Sequence, residues 1–222
     1  VKETKKTKEM TKKTIALQIA EALSQQIARG ILSPNEHLVE TKFAEEFHTS
    51  RAPIREALLM LEKERLVTRV PHHGFVVKKF QKKEIHQLYD ATFRLEEIAM
   101  AKAVENVTDR DIQRLEEILA GQWAAKQKDD VVEYYSLNEK FHETIFAMAN
   151  NEFLAEMHHS MRKSIRPLSV LNIGQGKNMH SSYEEHSRQL DALKQRDKEA
   201  GIQAIRDQES RFLKTLDIFY PS

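Results

Sequence analysis

The stretch from Glu40 to Leu61, E-T-K-F-A-E-E-F-H-T-S-R-A-P-I-R-E-A-L-L-M-L, constrains the fold more than any other part of the 222-residue chain. Phe43, Ala44 and Phe47 give a short first helix one apolar face. His48-Thr49 make a tight turn. Ser50 stands where an N-cap hydroxyl would accept an otherwise unpaired backbone N–H. Pro53 then falls in the first turn of a second helix, where a missing N–H is tolerated. Ile54, Ala57, Leu58 and Leu61 recur at i, i+3, i+4 and i+7 and predict a buried stripe. Arg51 and Arg55, four apart, share the outer face. Two short helices with a basic start to the second fit a helix-turn-helix, whose second helix enters the DNA major groove. An ordinary helical hairpin with surface arginines fits the same spacing.

The next segment favours the first reading. Leu66 to Val70 is rich in β-formers, Pro71-His72-His73-Gly74 is a turn, and Phe75-Val76-Val77 is a second β run. Two short strands around a glycine-containing tip predict a wing that reaches the neighbouring minor groove. Upstream, Ile15, Ile19, Leu23 and Ile27 define a first helix, which Gly30 ends. Ser33-Pro34-Asn35 is a turn, and Asn35 tolerates left-handed backbone. Residues 1–13, rich in Lys, Thr and Glu, predict a flexible basic arm.

These pieces resemble the GntR superfamily of bacterial transcription regulators. The resemblance rests on Gly30-Ile31-Leu32-Ser33-Pro34, Leu38-Val39-Glu40, Phe43-Ala44, Ser50 to Leu58, Leu61-Glu62, Leu66-Val67 and His73-Gly74-Phe75-Val76. The run S-R-x-P-I-R-E-A-L is its most specific part. It implies that Arg51 and Arg55 read bases and phosphates, that Thr49 and Ser50 hold phosphates, and that Arg69, His72, His73 and Gly74 bring the wing to DNA. Val39 stands where relatives carry a capping Ser.

Beyond a basic linker at residues 78–83 the pattern is helical to the end. The expected helices are Glu84–Val104, one opened by a Thr108-x-x-Asp111 capping box, Val131–Ala149, Phe153–Leu171 with a bend at Pro167, Tyr183–Arg196 and Lys198–Phe219. The expectation is a mostly α protein. A winged helix-turn-helix over 14–79 (three helices plus a β-hairpin) precedes an all-α six-helix bundle over 80–222. The bundle resembles the FCD effector domain of the FadR/VanR branch. The matching pieces are Leu95-Glu96, Phe141-His142 with Asn151, Glu185-His186 and the helix after Asp197.

That resemblance implies a dimerising, metabolite-binding domain with a metal held by one Asp and three His. The corresponding residues here are Asn138, His142, His186 and Gln208. Two neutral amides replace a carboxylate and an imidazole, and amides are poorer ligands for a transition ion. The expectation is therefore that no cofactor is required. A divalent ion, zinc or nickel, would be held weakly by His142 and His186, while Asn138 and Gln208 hydrogen-bond an effector. Thr92 stands where relatives carry a pocket arginine, so Arg94 and Arg166, with Arg162, are the candidate cations.

Charge is unevenly placed: residues 1–79 hold 15 Lys+Arg against 10 Asp+Glu, and the remainder 20 against 24. A basic head on a slightly acidic body suits DNA contact. The chain has no cysteine, which excludes disulfides and thiol catalysis. No apolar run approaches the ~20 residues of a membrane span. The resulting expectation is a cytoplasmic homodimeric repressor. It would bind a near-palindromic operator under control of a small metabolite, with no membrane partner and no enzymatic activity. An architectural DNA-binding protein without effector and an all-α metal-dependent hydrolase are the alternatives.

Overall fold

The computed structural model describes residues 14–71, 73–175 and 177–219. The expected arm over 1–13 and the wing residue His72 lie outside them. The chain divides into two compact units, one holding residues up to 27 and 31–78, the other residues 28–30 and those from 79 on.

In the first unit, α1 (Ile15–Ala28), α2 (Glu40–Glu46) and α3 (Arg51–Lys63) pack with a small sheet of β1 (His37–Leu38), β2 (Val67–Val70) and β3 (Gly74–Val77). Leu23, Ile54, Ala57, Leu58, Leu61 and Leu66 are almost fully buried at its centre. Ile15 is exposed, unlike the rest of its expected stripe, and Ala16 and Ala20 are buried instead. A spacing of four overshoots the ~3.6-residue turn, so one end of such a stripe rotates off the face. The wing is the antiparallel β2–β3 pair, with Arg69 opposite Phe75 and Val70 opposite Gly74. The order β1-β3-β2 adds a strand that the sequence reading missed. It is two residues long, too short to show an alternation, and it exists because Leu38 and His37 pair with Phe75 and Val76. Asn35 takes φ 67° in the turn before it.

In the second unit, α4 (Lys82–Asn106), α5 (Asp109–Gln127), α6 (Val131–Met148), α7 (Glu152–Ile173), α8 (Asn178–Gln195) and α9 (Lys198–Phe219) form the helical bundle. The Thr108 capping box forms as expected, with Asp111 N–H donating to Oγ1 at 3.3 Å and Thr108 N–H donating to Oδ2 at 3.1 Å. Asn151 caps α7, its Oδ1 accepting from Leu154 N–H at 3.1 Å. The helix α8 starts at Asn178, five residues before the expected Tyr183, because a single apolar residue in its first turn, the buried Met179, is too little to signal a stripe. The helix α7 runs through Pro167 to Ile173. Among the described residues no helix is long and apolar enough to cross a membrane.

Candidate functional site

The head presents α3 by its N-terminal end. Ser50 occupies the N-cap with φ −81° and ψ 169°, yet its hydroxyl makes no capping bond. The expected cap is therefore corrected, and the reason is local. The third helical position is Pro53, so one of the two N–H groups that such a hydroxyl accepts does not exist. The first-turn N–H groups of Arg51 and Ala52 likewise have no intrahelical carbonyl to pair with. A helix N-terminus with open donors beside a free hydroxyl suits an anion such as a phosphate.

Arg51 and Arg55 are exposed on the outer face of α3. A single carboxylate holds both: Glu40 Oε2 lies 2.8 Å from Arg51 Nη2, and Oε1 lies 3.6 Å from Arg55 Nε. Glu40 is the first residue of α2, placed by the turn of His48 (φ 49°) and Thr49, whose N–H donates to Ala44 O at 2.9 Å. Sequence reasoning missed Glu40's role, because the contact spans 11 residues. Thr49 is half-buried and Arg51 borders the same shallow depression. On the wing, Arg69 and His73 are exposed. Gly74 has φ 77°, with nothing within 4 Å of where a Cβ would stand. The glycine is thus required by backbone conformation and leaves the tip open to close approach.

The second unit buries a polar cluster. Asn138, His142, His186 and Gln208 are all buried, and the His142 and His186 rings meet edge-on with centroids 5.3 Å apart. His186 Nδ1–H donates to Gln122 Oε1 at 3.0 Å, and its ring stacks on Phe141 at 4.2 Å. Gln208 Oε1 accepts from Gln189 Nε2 at 3.0 Å. The residues at these four positions therefore do not fit the metal of the resembling family: two are amides, and the oxygen of one is already engaged.

The Nδ1 side of His142 faces α4 and α7. Glu96 Oε1 lies 3.5 Å from His142 Nδ1 and 3.0 Å from His158 Nε2, and all three residues are buried. Burial, then the nearby Arg162 charge, holds His142 well below the usual histidine range. Burial, then Arg162 and Arg211, pushes His186 down to about 3. Both imidazoles are thus neutral near pH 7, each with one donor and one acceptor nitrogen. Arg162 is itself buried and donates from Nε to Glu139 Oε1 at 2.9 Å. Burial is the largest single influence on the Glu139 carboxyl and would raise it, but the charge and hydrogen bond of Arg162, with smaller contributions from His158 and Tyr135, together hold it below its usual range.

His158 was missed in the sequence, although it continues the stripe of Leu154 and Ile165 on α7, a position where a histidine must find a buried partner. Of the expected cations, Arg166 is half-buried, over the Tyr135 ring at 5.7 Å. Arg94 is a correction. It sits on the outer surface, paired with Asp90, Glu97 and Glu209, because position 94 faces away from the stripe that buries Thr92 and Glu96.

A cavity of about 330 Å³ adjoins this cluster, lined in part by Glu139, His142, Glu156, His158, His159 and Arg162. The geometry thus offers an anion-receptive helix end with two arginines in one unit, and a buried carboxylate–imidazole cluster beside a cavity in the other.

Comparison with known proteins agrees with this division. Residues 15–77 match the family model for bacterial regulatory proteins of the gntR family, and residues 87–208 match the FCD domain model. The chain is 30% identical over 198 residues to the HTH-type transcriptional regulator McbR of Escherichia coli, covering 84% of this chain and 85% of that one. It is 28% identical over 208 residues to the gluconate operon transcriptional repressor of Bacillus licheniformis, covering 88% and 82%. The solved structure of E. coli McbR/YncC superposes with a TM-score of 0.79 at 27% identity, over 94% of this chain and all of that one.

Proposed function

The chain belongs to the GntR family of bacterial regulatory proteins, with an FCD domain behind its winged helix-turn-helix, and from that premise we propose that it is a homodimeric repressor of a near-palindromic operator. Its family makes it a DNA-binding transcription regulator and not an enzyme. The observation that carries the finer reading is the outer face of α3, where exposed Arg51 and Arg55 flank a helix end whose first-turn donors lack capping. In this reading Arg55 and Arg51 contact bases and phosphates, Thr49 and Ser50 hold phosphate oxygens, and Arg69, His73 and Gly74 bring the wing to the adjacent groove.

Exposed apolar side chains on α7, Phe153 and Met157 four residues apart, support self-association through the helical unit. Two-fold symmetry would then match two half-sites. A small metabolite bound in the FCD unit, beside His142 and within reach of Arg166, would shift the dimer between operator-competent and incompetent arrangements. We place the protein in the cytoplasm, where its operator is. Selection of bound duplexes from a random pool, with full-length protein, is the test. An enriched inverted repeat is the expected result. Enrichment of a single half-site, or of none, would overturn the dimeric operator reading.

A further inference from the structure

Glu96, His142 and His158 come from three different helices, α4, α6 and α7. One ligand atom from each lies within 4.8 Å of the other two. We infer that these three side chains form a binding site for a divalent transition-metal ion of the zinc type. The set shares only His142 with the four positions at which the family resemblance places a metal.

The spacing fits. Glu96 Oε1 stands 3.0 Å from His158 Nε2 and 3.5 Å from His142 Nδ1. Ligands about 2.0–2.1 Å from a zinc ion at tetrahedral angles stand about 3.3 Å from one another. Two imidazole nitrogens and one carboxylate oxygen suit zinc, nickel or iron(II), whereas calcium and magnesium require mostly oxygen. His158 is held in place by stacking on Phe146 at 3.9 Å.

The electrostatics also call for a cation. Glu96 is buried and its Oε2 has no hydrogen-bond partner. A buried carboxylate is costly unless its charge is compensated. Arg162 lends Glu96 a favourable charge but no hydrogen bond, because its guanidinium donates to Glu139. The adjoining cavity adds Glu139, Glu143 and Glu156 to its wall. Three protein ligands leave at least one coordination position open. His142 and His158 both line the cavity, so water or a small molecule there would complete the shell. The inference stands on these side chains and not on the operator reading.

Cobalt(II) titrated into full-length protein, after chelator treatment and dialysis, tests it. The expected result is a visible absorption band that saturates at one equivalent per chain and is displaced by zinc. Glu96→Gln and His158→Gln should each weaken cobalt binding at least about ten-fold, since each removes a direct ligand. His186→Gln and Gln208→Ala should leave it unchanged. A band insensitive to Glu96→Gln and His158→Gln, or abolished by His186→Gln, would overturn the site. If either ligand variant fails to fold by circular dichroism, the wild-type titration decides, since absence of a saturable band at one equivalent also overturns it.

Discussion

Replacing Arg55 with alanine separates reading from scaffolding. In the free protein Arg55 is exposed, with Nε 3.6 Å from a Glu40 oxygen that Arg51 also flanks. An exposed pair of this kind contributes about 0.2–1 kcal/mol. Arg55 is exposed and lies outside the buried stripe of α3, so its loss should cost the head no more than about 1 kcal/mol of stability. A good bidentate arginine–guanine contact is worth about 1–3 kcal/mol of discrimination. Both half-sites lose it in a dimer, for about 2–6 kcal/mol in operator affinity. The base contact therefore outweighs the Glu40 pair that must loosen to allow it. Fluorescence anisotropy against the selected operator, at several salt concentrations, is the assay, with urea melts alongside. Arg55→Ala should bind the operator at least about thirty-fold more weakly and lose preference at one base position per half-site, with a nearly unchanged melt. Arg55→Lys should keep the salt dependence and still lose the preference, because lysine keeps the charge without the planar fork. Wild-type affinity and base preference in Arg55→Ala would refute the docking of α3. A loss of stability larger than the loss of affinity would show that Arg55 is structural.

Three further expectations can be measured independently. Glu139→Gln leaves the buried Arg162 guanidinium without its carboxylate and should destabilise the protein by about 3 kcal/mol in urea. Because Glu139's folded pKa is lowered, its contribution is full above the ordinary carboxylate range and is lost as pH falls through the folded value. The variant should therefore lose part of the acid-side fall in stability, and an unchanged acid limb would refute the pairing. Gly74→Ala meets no atom within 4 Å but keeps a φ of 77°, so it should cost about 1–2 kcal/mol through backbone strain alone; a neutral melt would show that the wing tip relaxes. Phe153→Glu combined with Met157→Glu should convert the full-length dimer to a monomer in light scattering, and an intact dimer would place the interface elsewhere.

Short-range relations are legible in the amino-acid sequence itself. The Thr108–Asp111 box, the Asn151 cap, Asn35 in the left-handed region and the buried Ile54–Leu61 stripe each follow from residues within a turn or two of one another. Backbone stereochemistry and helical periodicity act over just that distance. The specific S-R-x-P-I-R-E-A-L run points to the head in the same way. Even there one local inference fails: Ser50 sits at the cap without capping, and Pro53 removes one of the two usual donors.

The polar partnerships inside the bundle are not legible in that way. Glu96 and His158 are 62 residues apart, and His186 and Gln122 are 64 apart. Spacing along a helix says which residues share a face, but the rotation of one helix against another decides which faces meet. That rotation is set by the packing of the whole apolar core. The sequence therefore supplies the histidines, the amides and a ligand set that looks degraded at its four family positions. Only the packing of α4 and α7 around α6 decides that His142 meets a carboxylate and a second imidazole, while His186 is turned to an amide.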